Sequence, residues 1–214
     1  MKIYFLTALI LLSAIVAIVF SQQGNIDLFI IFKPLTTIFI LALDLLIYRD
    51  NKSRYSRFLR IALTFCLVGD IFLLNEKYFL FGLASFLVAH IFFGIAFISI
   101  NGFKFRIIPL IVLILVLGSY FAFLFGHLHE FAIPAGCYLV VILIMNWLAI
   151  GVFINEKKRL YFFLAAAAIL FTISDAMIAY NKFVEVFKYA EILILSTYWI
   201  AIYVITIVGA KVKS

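Results

Sequence analysis

A chain of 214 residues with 68% hydrophobic, 18% aromatic and 13% charged side chains cannot hide its apolar surface in one small water-soluble core. These proportions exclude a soluble enzyme, a disordered chain, a collagen and a disulfide scaffold, and they place the protein in a membrane. The formal net charge of +7 reads as topology and attraction to anionic lipid head groups, with no nucleic acid required.

Apolar runs near the ~20 residues that cross a bilayer predict an all-α bundle of eight transmembrane helices forming a single integral-membrane domain over residues 1–214. The first span, 3–20, follows Lys2. It is longer than the apolar stretch of a signal peptide and is expected to remain a span. The second, 26–47, contains Lys33 and Pro34. A cation at that depth costs at least ~2.5–3.5 kcal/mol unless it snorkels or finds a partner, and the proline removes a backbone donor. Asp44, three turns later, falls near the basic edge by Arg49 and is expected to pair there.

The third span, 58–74, holds Cys66 and Asp70. In the fourth, 78–98, His90 shares an i±4 face with Gly82, Phe86 and Gly94, small residues that permit close helix contact. The fifth, 107–125, leads to the turn His127-Leu128-His129-Glu130. Two histidines and a glutamate in so short a turn lack the further fixed ligands of a metal site, and no metal is expected. The sixth, 131–154, carries Cys137, Tyr138, Met145 and Asn146, the last read as an interhelical hydrogen bond. Both cysteines fall in apolar runs and read as small hydrophobes. The seventh, 160–180, holds Ser174 and Asp175; the eighth, 186–210, holds Glu191, Thr197 and Tyr198. Glu191 and Tyr198, seven residues apart, lie on nearly one helix face.

With eight spans, thirteen basic residues gather on the side of both termini and three (Lys77, Lys182 and Lys188) on the other. The positive-inside rule puts both termini in the cytoplasm. An all-helical bundle favours the cytoplasmic (inner) membrane in a bacterial host. Asp70 and Asp175 then stop short of the outer surface at similar depth, and Lys33 reaches the same layer from that surface. Two acids with one base cannot all be neutralised by pairing, so one carboxyl is expected to keep its proton. Such a pair can run acid–base hydrolysis through an oxocarbenium-like species without a metal. No Gly-x-Ser-x-Gly, His-Glu-x-x-His, phosphate-binding loop or Cys-x-x-Cys occurs. The same intramembrane charges could also serve a small proton-coupled transporter.

In order along the chain, Lys33-Pro34-Leu35, Gly69-Asp70, Gly82-Leu83 with His90, Tyr138 with Met145, Ser174-Asp175 and Thr197-Tyr198 resemble the YhhN-like lysoplasmalogenase family. The resemblance runs from the second span to the eighth. Two positions depart from the family pattern: Phe93 stands where many relatives carry Tyr, and Ile202 where many carry Gln. The resemblance implies hydrolysis of the vinyl ether bond of a lysoplasmalogen, a lysophospholipid, to a fatty aldehyde and a glycerophospho-base, with no cofactor. It implies Asp70 and Asp175 as the catalytic carboxyl pair, the acid and base roles unassigned. Lys33, His90, Ser174, Tyr198 and Glu191 are the expected positioning or substrate-binding residues.

Overall fold

The protein is described by a computed structural model over residues 2–48 and 53–209. Of the basic residues used to orient the chain, Arg49, Lys52, Lys211 and Lys213 lie outside these described residues. Eight α-helices appear among them: α1 (Lys2–Gln22), α2 (Ile26–Ile47), α3 (Arg54–Phe72), α4 (Phe79–Asn101), α5 (Ile107–Leu128), α6 (Ala132–Glu156), α7 (Arg159–Phe183) and α8 (Ala190–Gly209).

Local chemistry sets the boundaries. Asn25 and Ser53 cap α2 and α3 by accepting hydrogen bonds from the backbone N–H groups of Leu28 and Ser56, each at 3.2 Å. The Ser53 cap starts α3 at Arg54, four residues before the expected 58. At the other extreme, α8 begins at Ala190 rather than 186. Tyr189, at φ 66°, lies in the left-handed region and interrupts helical geometry there. Gly102, at φ 75°, ends α4, a conformation that glycine adopts without a Cβ clash.

Six helical segments are long and apolar enough to cross a membrane, and one of them, Ile107–Glu156, contains both α5 and α6. Its 50 residues would run ~75 Å as one rod, far beyond a ~30 Å hydrocarbon core. Instead, the chain turns through a short 3-10 segment at His129–Phe131, with His129 at φ 44°, and α6 packs back on α5. Helix α3 falls outside the six because Arg54, Arg57, Arg60 and Asp70 dilute its apolar run.

The helices pack as a ring. α1 lies on α2, α2 on α3, α3 on α4, α4 on α6, α6 on α7 and α7 on α8, while α8 closes the ring against α1, α2 and α3. Helix α5 sits outside it, packed on α6 and α7. Phe93, Phe97, Phe171, Leu59, Leu63 and Ile202 are fully enclosed within the ring. Apolar side chains such as Leu11 and Leu12 on α1 and Ile108 and Leu115 on α5 point outward, as lipid contact requires.

At the end of the bundle where α2 stops and α3 starts, the Arg60 Nε donates to Asp44 Oδ2 at 2.9 Å. This is the pairing expected of Asp44 with the basic edge. Tyr48 and Tyr55 donate to the carbonyls of Thr206 and Ile205 in α8, at 3.1 and 3.0 Å.

A close seam runs between α3 and α4. A Cβ on Gly69 would lie 2.7 Å from the Phe86 ring, which is itself held by Phe171 and Tyr198. Replacing Gly69 by alanine is therefore expected to cost about 1–3 kcal/mol through overpacking. Gly118→Ala in α5, where a Cβ meets nothing within 4 Å, should leave stability unchanged or slightly raised. Thermal unfolding of both variants in detergent checks this; equal melting temperatures would refute the close seam.

Candidate functional site

Two buried carboxyl groups organise the interior. Asp70, 1% exposed on α3, receives Thr37 from α2 and Tyr198 from α8. The Thr37 hydroxyl donates to its Oδ2 at 2.5 Å and the Tyr198 hydroxyl donates to the same oxygen at 2.9 Å. The indole N–H of Trp199 donates to Thr37 Oγ1 at 3.3 Å, orienting that hydroxyl toward the acid. Lys33 lies one turn before Thr37 on the same face of α2, buried, with its ammonium 5.5 Å from the centroid of the Phe29 ring. Its charge acts on Asp70 without closing to an ion pair, because Lys33 belongs to none of the ion pairs among the described residues.

Asp175, on α7, receives Tyr138 from α6 and faces His90 from α4. The Tyr138 hydroxyl donates to Asp175 Oδ2 at 3.1 Å. His90, fully buried, places Nδ1 2.6 Å from the Phe86 carbonyl and Nε2 3.2 Å from Asp175 Oδ2. A carbonyl oxygen only accepts, so Nδ1 bears the proton on that side. Nε2 is at ion-pair distance from the acid without being aligned as a hydrogen bond. The imidazole and the carboxyl thus face each other at 3.2 Å, the geometry of an acid–base pair.

The three charges read from the sequence as one layer therefore resolve into two groups. The rings of Phe86, Phe171 and Tyr198 stand between them: Phe86 and Phe171 are centred 5.6 and 5.3 Å from Tyr198, and Phe171 is 4.5 Å from His90. Cys66, one turn before Asp70, is fully buried.

The two groups differ in access. An apolar pocket, open on one side, runs between α4, α5, α6 and α7. Asp175 is the one charged residue in its wall, beside Tyr138 and Thr172, whereas Asp70 and Lys33 do not border it. A substrate in this space meets Asp175 and Tyr138 directly and Asp70 only through the aromatic partition.

Ser174 is buried, but its hydroxyl donates to the Ile194 carbonyl at 2.9 Å, tying α7 to α8. Glu191 stands half-buried in the first turn of α8 and joins neither group. Asn146 donates to Thr172 Oγ1 at 2.6 Å, the interhelical bond expected of it. Thr37, Trp199 and the role of Tyr138 escaped the sequence reading. The one signal for Thr37 is its spacing of four from Lys33, which puts both on one face of α2.

The sequence profile of the YhhN family matches residues 28–208, and the chain belongs to that family. Lysoplasmalogenase TMEM86A of Homo sapiens is 35% identical over 147 residues, covering 66% of this chain and 60% of that protein. The Bos taurus TMEM86A lysoplasmalogenase is 31% identical over 150 residues, with the same two shares. Lysoplasmalogenase TMEM86B of Homo sapiens is 28% identical over 156 residues, covering 72% of this chain and 63% of that protein. The matches thus span about 60% of these relatives' length. No solved structure matches the chain.

Thr37→Val and Tyr198→Phe each remove one donor from the buried Asp70 oxygen and are expected to destabilise by about 1–3 kcal/mol. Because both bond one atom, the double variant should deviate from additivity by at least about 0.5 kcal/mol. Thr64→Val, which removes an exposed bond within its own helix, serves as the control. Reversible unfolding in mixed detergent measures the cycle, and strict additivity would refute a shared acceptor.

Proposed function

From its membership of the YhhN family and the geometry of the two acids, we propose that the protein hydrolyses the vinyl ether bond of lysoplasmalogens, releasing a fatty aldehyde and a glycerophospho-base. The observation that carries this reading is that Asp175 and Tyr138 stand in the wall of an apolar pocket, with the buried His90 facing Asp175 from behind. A vinyl ether needs a proton donor at one carbon of an otherwise greasy chain, and this pocket offers that.

In this reading the bundle crosses the membrane eight times with both ends cytoplasmic. Basic residues at Arg54, Arg57, Arg60, Lys104, Arg106 and Lys157 on one side, against Lys77, Lys182 and Lys188 on the other, support that orientation. The pocket lies toward the outer side. Helix α5 packs on α6 and α7 but hardly on α4, so the alkenyl chain reaches the pocket from the lipid through the α4–α5 gap.

Asp175 is the proton donor because it borders the pocket. Its carboxyl proton passes to the vinyl carbon one removed from the ether oxygen as the C=C pair forms the new C–H bond. The ether oxygen then shares its lone pair, giving an oxocarbenium ion beside the Asp175 carboxylate. Water adds to the oxygen-bearing carbon of that ion and gives its proton to the His90–Asp175 pair. The hemiacetal hydroxyl then gives up its proton as the bond from its carbon to the glycerol oxygen breaks, the glycerol oxygen taking a proton and the aldehyde leaving. Tyr138 fixes the carboxyl's orientation. Asp70, held by Thr37, Tyr198 and the nearby Lys33 charge, sets the potential from behind the aromatic partition.

Purified protein in detergent is expected to release aldehyde from choline and ethanolamine lysoplasmalogens. Asp175→Asn should lower kcat by about 10²–10⁴-fold, the contribution of positioned proton transfer. Asp70→Asn should cost less in kcat but lower the melting temperature, since it leaves the buried Lys33 without its counter-charge; Asp175→Asn should retain the wild-type melting temperature within a few degrees. Full turnover in Asp175→Asn sinks the assigned donor, and no aldehyde from folded wild type sinks the substrate.

A further inference from the structure

The outer rim of the pocket holds a built pair of opposite charges. Lys182 follows Asp175 by seven residues on α7 and so shares its face. Its ammonium lies 5.4 Å from the centroid of Phe79, a pocket-lining ring, and 3.2 Å from Glu76 Oε2. Lys182 is held against the protein, with its side chain 35% exposed, whereas Glu76 is 92% exposed. Phe79 and Phe183 both line the pocket, and with Phe131 they form an aromatic collar at 5.3–6.3 Å between centroids.

We propose that Lys182 and Glu76 form the head-group subsite for a zwitterionic lysophospholipid, Lys182 taking the phosphate and Glu76 the ammonium of the base. This assignment rests on the lysoplasmalogen reading and adds to it the residues that select the head group. Two matches support it. The first is charge order. The pair is itself a zwitterion, and a phosphodiester joined to an ammonium replaces each partner's counter-charge with one of the same sign. The collar supplies ring faces on which a choline or ethanolamine cation rests.

The second match is length. From the vinyl carbon that takes the proton to phosphorus there are seven bonds. At about 1.2 Å of extended chain per bond this is about 8 Å. Asp175 and Lys182 are separated by a rise of about 10.5 Å along α7, and the flexible lysine stem takes up the difference. A chain with its vinyl carbon at Asp175 therefore sets its phosphate at Lys182. Lys33, which does not border the pocket, is out of that path.

The test measures binding apart from turnover, using three saturated ether analogues that cannot be hydrolysed: an alkyl-lysophosphatidylcholine, the corresponding alkylglycerol 3-phosphate and the head-free alkylglycerol. Intrinsic fluorescence titration gives the affinity of each for wild type, Lys182→Met, Lys182→Arg, Glu76→Gln and the exposed control Lys188→Met. Lys182→Met should reduce the preference for the phosphate analogue over alkylglycerol about tenfold, the equivalent of one lost charge-assisted contact. Lys182→Arg should restore most of that preference. Glu76→Gln should reduce the choline analogue's advantage over the plain phosphate, and Lys188→Met should alter neither ratio. Unchanged ratios in Lys182→Met and Glu76→Gln overturn the subsite, as does a wild type that binds all three analogues alike. Aldehyde release by wild type is measured beside these titrations. Its absence, with the Lys182-dependent preference intact, would overturn the hydrolase reading while supporting a phospholipid head-group site.

Discussion

Two carboxyl groups buried in an apolar bundle must be met by donors from within it, because burial strips most of their solvation. That requirement explains the helix arrangement better than apolar packing does, since lipid tails give helices little reason to prefer one another. Asp70 gathers α2, α3 and α8 through Thr37 and Tyr198. Asp175 gathers α4, α6 and α7 through His90 and Tyr138. Each acid is thus the junction of three helices, and Phe86, Phe171 and Tyr198 join one junction to the other. Helix α5 contributes to neither and is the one that lies outside the ring.

The acids stood out in the sequence because a charge in a long apolar run has few explanations. Helix positions were legible for the same reason: the spans begin and end where polar residues interrupt the runs, and Ser53 and Tyr189 moved two boundaries by local capping and backbone geometry. Depth can be counted along a helix, which is why Lys33, Asp70 and Asp175 could be placed in one layer. Rotation about the helix axis cannot be counted when apolar residues surround it on all sides. Lys33 was accordingly grouped with both acids, although it lies near Asp70 alone. The partners were harder still. Thr37 and Tyr138 are ordinary residues of a membrane helix, and only the folded contacts distinguish them from the many other Thr and Tyr. Ser174 shows the converse, being adjacent in sequence to an acid yet bonded to the α8 backbone.

Glycine usage follows from the same junctions. Gly69 precedes Asp70, and its missing Cβ is the space through which the Phe86 ring reaches Tyr198. Phe86 in turn offers its carbonyl to His90 Nδ1. A single absent methyl group thereby sets the height of α4 against α3, and with it the position of the imidazole relative to Asp175. The seam is a positioning device for the acid–base pair as much as a packing contact.

Charge balance connects this architecture to the proposed chemistry. In the proposed reading an ionised Asp70 is offset by Lys33, and a His90–Asp175 pair holding one proton between its facing atoms is neutral whichever partner carries it. The interior therefore has no net charge to solvate, which a low-dielectric site demands. Transfer of that proton to a vinyl carbon leaves the pair one unit negative at the moment the substrate becomes one unit positive. The two new charges form in contact, inside a pocket whose remaining wall is apolar and cannot screen them. The carboxylate left behind takes back the proton that the attacking water releases. With His90 beside it, the proton released by the attacking water is retained within the pair, and the site returns to its neutral resting state.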